Sequence, residues 1–378
     1  MSNLPDTCDK AIRNDRGISG LDEFLVLPPY SLLKQEKENL LNKRLIELSK
    51  HHYHCCNCYK RMIDTVGCDI KQLNTYYDIP FLPVNLFKEL ELRSIGKDDL
   101  FKTMTSSGTT GQAVSKIYLD RTTAGNQQKV MTKIVADYIG SNRLPMLILD
   151  SPSILKNRLM FSARSAGILG FSIFGADKTY ALDDDMKLNL EVVEPFMEKH
   201  KDQPILLFGF TFMVWHNFYK ELKKLEKKLD LSNGILIHGG GWKKLTGEAV
   251  SKDEFKTCLN EICGLKNIHD YYGMIEQTGC IYMECEYGHL HASNFSDIIT
   301  RRNDDFSVCD IGETGIVQVV SVLPESYPGH SLLTEDEGVI LGEDDCSCGR
   351  KGKYFKIKGR LKNAEIRGCS DTYEDKFG

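Results

Sequence analysis

Residues 105–111 read Thr-Ser-Ser-Gly-Thr-Thr-Gly, with five hydroxyl side chains and two glycines in seven positions. In such a loop the backbone amides and hydroxyls can all face one anion, which suits a polyphosphate. No Gly-Lys-Ser/Thr follows at Walker A spacing, so this is not a P-loop. Serine, threonine and glycine also make ordinary polar turns, and the loop alone does not separate the two uses. Further on, Tyr271, Tyr272, Gly273, Met274, Ile275 and Glu276 combine a flat aromatic surface, a closely approaching backbone and a carboxylate able to hold magnesium against phosphate oxygens. The plain alternative is an aromatic strand end beside a surface glutamate. Gly239-Gly240-Gly241-Trp242 lets backbone lie flat on a planar ligand. Asp336, which ends the stretch from Ser326-Tyr327-Pro328 to Thr334-Glu335-Asp336, offers a carboxylate for two ribose hydroxyls, and Arg360 after Gly359 offers a guanidinium for ribose or phosphate.

Sulfur supplies a second chemistry. Cys346-Ser347-Cys348-Gly349 places two thiols on a tight turn, while Cys285 and His291 stand close together upstream. Two ligands from each segment complete a Cys₃His shell of the kind that closes structural zinc sites, with His289 as the substitute for His291. The cluster His51 to Tyr59, HHYHCCNCY, is expected to lie on a core-packed helix and not to hold a metal. Cys8, Cys68, Cys258, Cys263, Cys280 and Cys309 are expected to act as small apolar residues.

The elements that must position these residues follow from periodicity. Residues 34–50 carry Leu40, Leu41, Leu45, Ile46 and Leu48 on one helical stripe, and Pro80 and Pro83 end the helical text. Met146–Leu149, Ile205–Phe208 and Ile235–Ile237 are short apolar runs expected as buried strands, separated by helices over 186–199, 212–229 and 248–263. That alternation predicts an α/β core with a largely parallel sheet. Beyond residue 295 the text turns β-rich, with strands expected at Gly315–Val322 and Gly338–Leu341. The expected organisation is a helical region over 1–100, an α/β core over 101–295, a β-rich subdomain over 296–360 and a tail over 361–378. The stretch Phe208–Trp215 is either an acyl-pocket wall or a packed helix start.

The chain has 378 residues, 41% of them apolar, and a formal charge of −5, which gives no reason to expect nucleic acid or anionic membrane as a partner. Thirteen cysteines, an odd count, favour thiol or metal chemistry in a reducing cytoplasm over a disulfide framework. No run approaches the length and apolarity of a membrane span, and the first residues lack a secretory core.

The order SSGTTG, GGGW, YYGMIE, TED and GR resembles the adenylate-forming superfamily of acyl-CoA synthetases and luciferases. HHYHCCNCYKRMID, IPFLPVNLFK, GGGWKK, SYPGHSLLTEDEG and RGCSD are similar to the LuxE-type acyl-protein synthetases over nearly the whole chain, while YYGMIEQTG and CSCGR look like phenylacetate-CoA ligases. The resemblance implies the large domain of that fold, with ATP phosphates held by Ser106, Ser107, Gly108, Thr109, Thr110 and Gly111. It places Gly240, Gly241, Tyr272 and Gly273 beside the adenine or acyl pocket, magnesium on Glu276, ribose on Asp336, and ribose or phosphate on Arg360. Zinc on Cys285, His291, Cys346 and Cys348 gains support from the phenylacetate-ligase likeness. Only 18 residues follow Arg360, so the usual C-terminal lid is expected to be missing. In acyl-protein synthetases a cysteine near the carboxyl terminus takes the acyl group, and Cys369 sits at the matching position, beside Arg367, which favours thiolate. The implied reaction is activation of a fatty acid to acyl-AMP and transfer to a thiol, then to a reductase. The rivals are an acid ligase using CoA or a carrier protein as acceptor, and a non-catalytic subunit of a reductase complex.

Overall fold

The computed structural model describes residues 20–106, 114–155, 163–242 and 247–361. Strand β1 (Leu82–Pro83) and the hairpin β2 (Lys102–Thr105) and β3 (Lys116–Leu119) come first. They precede β4 (Leu144–Ile148), β5 (Gly175–Tyr180), β6 (Ile205–Phe210), β7 (Gly234–Gly239) and β8 (Asn267–Tyr272), which pair in parallel in the order β5-β4-β6-β7-β8. Then come β9 (Tyr282–Glu284), β10 (Leu290–His291), β11 (Ser296–Arg301), β12 (Thr314–Ser321), β13 (Ser331–Glu343) and β14 (Lys353–Arg360). These continue the same sheet with antiparallel pairings, in the order β8-β9-β10-β14-β13-β12-β11, and β1 runs parallel beside β13. The β-rich text beyond residue 295 thus extends the sheet begun by the α/β alternation.

The longer helices are α1 (Lys34–Cys55), α2 (Asn57–Thr65), α3 (Arg121–Ile139), α4 (Ala163–Phe171), α5 (Leu190–Lys199), α6 (211–224) and α7 (Lys252–Cys263). Successive strand side chains point to opposite faces, and the parallel strands are apolar on both. Met146, Ile148, Leu206, Phe208 and Ile237 pack with Leu41 and Leu45 of α1, Val130 and Ile134 of α3 and Phe171 of α4. Leu147, Ile205, Leu207 and Leu236 pack on the other face with Val193 of α5, Phe218 of α6 and Phe255 and Leu259 of α7. Across the first face, Asp297 of β11 accepts from Lys353 of β14 at 2.6 Å and from Lys37 of α1 at 3.4 Å, all three buried. Burial raises the carboxyl, but the two ammonium groups outweigh it and hold it at about 2.

Several boundaries differ from the sequence expectation. The helix expected from 186 begins at Leu190, because Met186 is left-handed (φ 62°) and Leu182 bridges to Leu188; Asn189 Oδ1 then caps the helix from Glu191 N at 3.1 Å. The helix expected from 248 starts at Lys252, where Ser251 Oγ accepts from Glu254 N at 3.1 Å. Helix α6 stops at Lys224, and its middle turn, Val214–Tyr219, is wound as a π-helix that the periodicity does not signal. Helix α3, with no counterpart in the expectation, is capped by Asp120 Oδ1 from Thr123 N at 2.7 Å. Phe208–Trp215 forms the end of β6 and the start of α6, and Phe208, Phe210 and Phe212 to Trp215 are buried. Among the described residues no helix is long and apolar enough to cross a membrane.

Candidate active site

Ligands of open parallel sheets gather at the carboxyl ends of the strands. Here β7 and β8 end side by side, with Gly239 opposite Tyr271. A Cβ on Gly239 would stand 2.6 Å from the Tyr271 ring, so the strand ends approach this closely only with glycine there. Gly240 and Gly241 continue with φ of 84° and 61°, a backbone path that side chains resist. Trp242 turns back onto the helical layer, edge-on to Trp215 at 5.7 Å and to Phe255 at 6.2 Å, and so anchors the loop.

From the end of β8 the Tyr272 hydroxyl donates to Asp336 Oδ2 at 2.7 Å. Burial first, then the Asp336 charge, push the phenol well above its usual range, so it stays a donor. Asp336 of β13 pairs with Arg360 of β14, whose Nε lies 3.6 Å from Asp336 Oδ1 and whose Nη2 lies 3.8 Å from Glu335 Oε2. The register shifts just past this pair, between Glu337 and Gly338, and such bulges re-aim side chains at sheet sites.

Glu276 sits in the 3₁₀ turn Ile275–Gln277 and is 6% exposed. Burial raises its carboxyl; the Ser115 side chain and Lys88 oppose that rise, while Glu335 adds to it. Ser115 in turn donates its N–H to Ser106 Oγ at 2.9 Å and accepts from Ser106 N at 3.1 Å, closing the base of the hydroxyl-rich loop. The Glu276 carbonyl accepts from Tyr327 OH at 3.0 Å, Tyr327 OH accepts from Gln127 Nε2 at 3.3 Å, and Gln277 Nε2 donates to the carbonyls of Val319 and Gly329. Ser106, Tyr272, Gly273, Glu276, Asp336 and Arg360 therefore belong to one connected neighbourhood, and Gly240 and Gly241 leave the strand beside it. Ser107, Gly108, Thr109, Thr110, Gly111 and Cys369 lie outside the described residues.

Sequence reasoning missed Ser115, Gln127 and Tyr327. Tyr327 stands inside SYPGHSLLTEDEG but had no expected role; Ser115 follows the loop after a short apolar pair, a hydroxyl with no spacing signal; Gln127 belongs to the unforeseen α3. An apolar cavity of about 390 Å³, lined by Cys58, Met62, Val66, Phe81, Pro83 and Leu90 among others, includes none of the residues above.

The sulfur cluster is assembled by two hairpin ends. Cys285-Glu-Tyr-Gly288 and Cys346-Ser-Cys-Gly349 each close a turn by a glycine N–H to cysteine carbonyl bond of 2.9 Å, with the glycines at φ 75° and 82°. Strand β10, which carries His291, pairs with β14, and this brings the two turns together. Sγ of Cys285, Cys346 and Cys348 and one ring nitrogen of His291 all lie within 4.8 Å of one another. Cys285 Sγ is 4.0 Å from Cys346 Sγ, and Cys348 Sγ is 3.3 Å from His291 Nε2. Tetrahedral zinc with Zn–S of about 2.3 Å separates its sulfurs by about 3.8 Å, so the donors already stand near a ligand shell. His289 Nδ1 is 3.5 Å from Cys346 Sγ, but the four-donor set contains His291. In the 51–59 cluster, His52 and Cys56 are buried, and His52 stacks on His330 at 4.9 Å, a core role.

The fold is shared with solved ligases. A 2-hydroxyisobutyryl-CoA ligase structure, in the postadenylation state with 2-HIB-AMP, superposes with a TM-score of 0.66 at 14% identity, over 88% of this chain and 69% of that one. An open form of a 2-hydroxyisobutyryl-CoA ligase, in complex with 2-HIB-AMP and CoA, gives 0.64 at 15% identity, over 89% and 78%. The architecture is therefore shared with adenylate-forming ligases, and the family match and named relatives given next make the protein an enzyme of the acid–thiol ligase class. Residues 13–378 match the family model "Acyl-protein synthetase, LuxE", and the chain belongs to that family. Two relatives are the long-chain-fatty-acid–luciferin-component ligases of Vibrio harveyi, 22% identical over 94% of this chain and 92% of its own, and of Aliivibrio fischeri, 24% identical over 93% of each.

Proposed function

We propose that this enzyme activates a long-chain fatty acid as its acyl adenylate and passes the acyl group to Cys369, from which a partner reductase receives it. The observation that supports the adenylation is the contact set Tyr272–Asp336–Arg360 at the strand ends, with the loop base closed by Ser106 and Ser115 and with Ser115 and Glu335 both near enough to act on the Glu276 carboxyl. The hydroxyl-rich loop then holds the ATP phosphates, Asp336 the ribose hydroxyls, and Arg360 the ribose or α-phosphate. Glu276 would hold magnesium, which would supply charge neutralisation at the phosphates. An oxygen of the substrate carboxylate attacks the α-phosphorus, the bond to the bridging oxygen breaks, and pyrophosphate leaves. In-line positioning and electrostatic stabilisation account for such a step without covalent help from the protein. The Cys369 thiolate next attacks the acyl carbonyl, AMP departs with the electron pair, and a thioester remains. The names of the relatives support the fatty acid, and the family description supports a protein thiol as acceptor.

We also infer a structural zinc ion on Cys285, His291, Cys346 and Cys348, supported by the closeness of the four donors. The reaction is tested by acid-dependent exchange of labelled pyrophosphate into ATP across short, aromatic and long acids. Long-chain acids are expected to drive exchange, and no exchange with any acid removes the proposal. Cys369→Ser is expected to abolish covalent labelling by radioactive fatty acid while exchange persists. Persistent labelling, or turnover only when CoA or a carrier protein is added, moves the acceptor role away from Cys369.

A further inference from the structure

Tyr327 is fully buried, and its ring is fixed edge-on to Phe87 at 6.1 Å. Its hydroxyl has two partners. Gln127 Nε2 of α3 donates to it at 3.3 Å, which leaves the hydroxyl proton for the Glu276 carbonyl at 3.0 Å. A second stitch runs the other way: Gln277 Nε2 donates to the carbonyl of Gly329 at 2.9 Å and to that of Val319 of β12 at 3.1 Å. Gly329 passes against the same turn. A Cβ there would stand 2.8 Å from the Glu276 carbonyl oxygen, so the two backbones come this close only with glycine. Neighbouring Ser326 ties the segment to the β2–β3 hairpin, where its Oγ donates to the Tyr118 carbonyl at 2.8 Å. The 3₁₀ turn Ile275–Gln277 is only three residues long, so these outside bonds set where its main chain lies.

We propose that Tyr327 is a positioning residue: its hydrogen bond to the Glu276 carbonyl fixes the main chain from which that carboxylate reaches its divalent cation. The inference rests on the reading of Glu276 as the magnesium ligand and adds a determinant of cation affinity. Gln127 belongs to the same device, because its amide directs the Tyr327 hydroxyl. Groups that bond a metal ligand directly are worth about 10- to 100-fold in metal affinity or activity. Tyr327 acts one step further back, through the main chain, so the lower end of that range, about tenfold, is expected. Removing the hydroxyl also leaves the Glu276 carbonyl and the Gln127 amide short of a buried partner, which lowers stability whatever the role of the residue. The deciding readout is therefore cation affinity.

The test compares wild type, Tyr327→Phe, Gln127→Met, Glu276→Gln and Leu259→Val, the last a core change on the other face of the sheet, with folding and melting followed by circular dichroism. Mn²⁺ is titrated into each protein in the presence of α,β-methylene-ATP, and free ion is read from its paramagnetic resonance signal. The expectation is a half-saturating Mn²⁺ concentration raised about tenfold in Tyr327→Phe and less in Gln127→Met, where the hydroxyl remains but its direction is freed. Leu259→Val should melt lower and bind Mn²⁺ as wild type does. A folded Tyr327→Phe that melts lower yet keeps wild-type Mn²⁺ affinity, while Glu276→Gln loses the ion, assigns Tyr327 a packing role and overturns the inference alone. Equal Mn²⁺ binding by wild type and Glu276→Gln overturns the underlying reading and the inference together. If Tyr327→Phe does not fold, Gln127→Met decides, and wild-type Mn²⁺ affinity in that variant rejects the proposal.

Discussion

Asp336 is held from two sides, by the Tyr272 hydroxyl at 2.7 Å and by the Arg360 guanidinium at 3.6 Å. A carboxylate so braced points in one direction before any ligand arrives, which suits the ribose role proposed for it. Removing the charge by Asp336→Asn takes away charge-assisted hydrogen bonds worth about 1.5–3 kcal/mol, so kcat/KM for ATP in the exchange assay is expected to fall about 10- to 100-fold. Tyr272→Phe leaves the carboxylate and removes one brace; its loss should be severalfold smaller, and equal losses would show that the phenol itself contacts substrate. His330 offers a separate test on stability. Burial pushes its imidazole down to about 3, with His51 and Arg44 adding to the effect; His52 stacks on it and Ser49 Oγ lies 2.9 Å from its Nε2. Its folded pKa lies below the unfolded value, so the folded state excludes a proton the unfolded chain accepts. Stability is then full above the ordinary histidine range and is lost as pH falls through it, by about 2 kcal/mol between pH 7.5 and 5 for this one group. Urea titrations of wild type and His330→Asn at both pH values measure this, and parallel losses in the two proteins would remove His330 as the cause.

At the scale of elements, the glycine-rich turn after β7 is the most constrained piece of the neighbourhood. An alanine at Gly240 places its Cβ 2.8 Å from the Phe210 ring at a backbone φ of 84°. Overpacking of this kind costs about 1–3 kcal/mol, so Gly240→Ala is expected to lower the melting temperature by several degrees and to depress exchange for every acid alike. An acid-selective effect would instead make this turn part of the acyl pocket. This turn was legible in the sequence because three consecutive glycines would weaken a strand or helix and fit a backbone that must pass close to a neighbour. The parallel strands were legible too, since both faces are buried and the runs are continuous. Helix α3 was not: RTTAGNQQKVMTKIVADYI mixes β-branched and polar residues, and its burial of Thr123 and Gln127 hides the apolar stripe. The long β13 was seen only at its Gly338–Leu341 end, because Thr334, Glu335, Asp336 and Glu337 interrupt the apolar text where the strand serves the candidate site. Residues that meet only in the fold, as Gln127 and Tyr327 do behind the Glu276 carbonyl, leave no spacing in the chain because their partners are distant in sequence.

Across the whole molecule the sheet has a narrow seam. The parallel half carries Gly240, Gly241 and Tyr272, the antiparallel half carries Asp336 and Arg360, and between them β10 contributes only Leu290 and His291, paired to Phe355 and Tyr354 on one side and to Glu284 and Met283 on the other. So short a strand supplies few ladder bonds to hold two halves whose relative position sets the Tyr272 to Asp336 contact. The four sulfur and nitrogen donors cluster at this seam, with Cys285 from the turn after β9, His291 from β10 itself and both Cys346 and Cys348 from the turn before β14. Arg350, one residue past Gly349, extends the clamp by an ion pair to Asp137 of α3 at 2.8 Å and stacking on Tyr138 at 4.1 Å. Zinc on these donors would cross-link the halves, and structural zinc contributes folding free energy directly. One zinc per chain is therefore expected by elemental analysis of protein purified without chelator. Cys346→Ser and Cys348→Ser should each lose the metal, melt at lower temperature and show a raised KM for ATP, although neither residue belongs to the nucleotide neighbourhood. Metal-free variants that melt and bind ATP like wild type would leave the seam held without the metal, by packing and by polar links such as Lys37–Asp297–Lys353 between α1 and the antiparallel half.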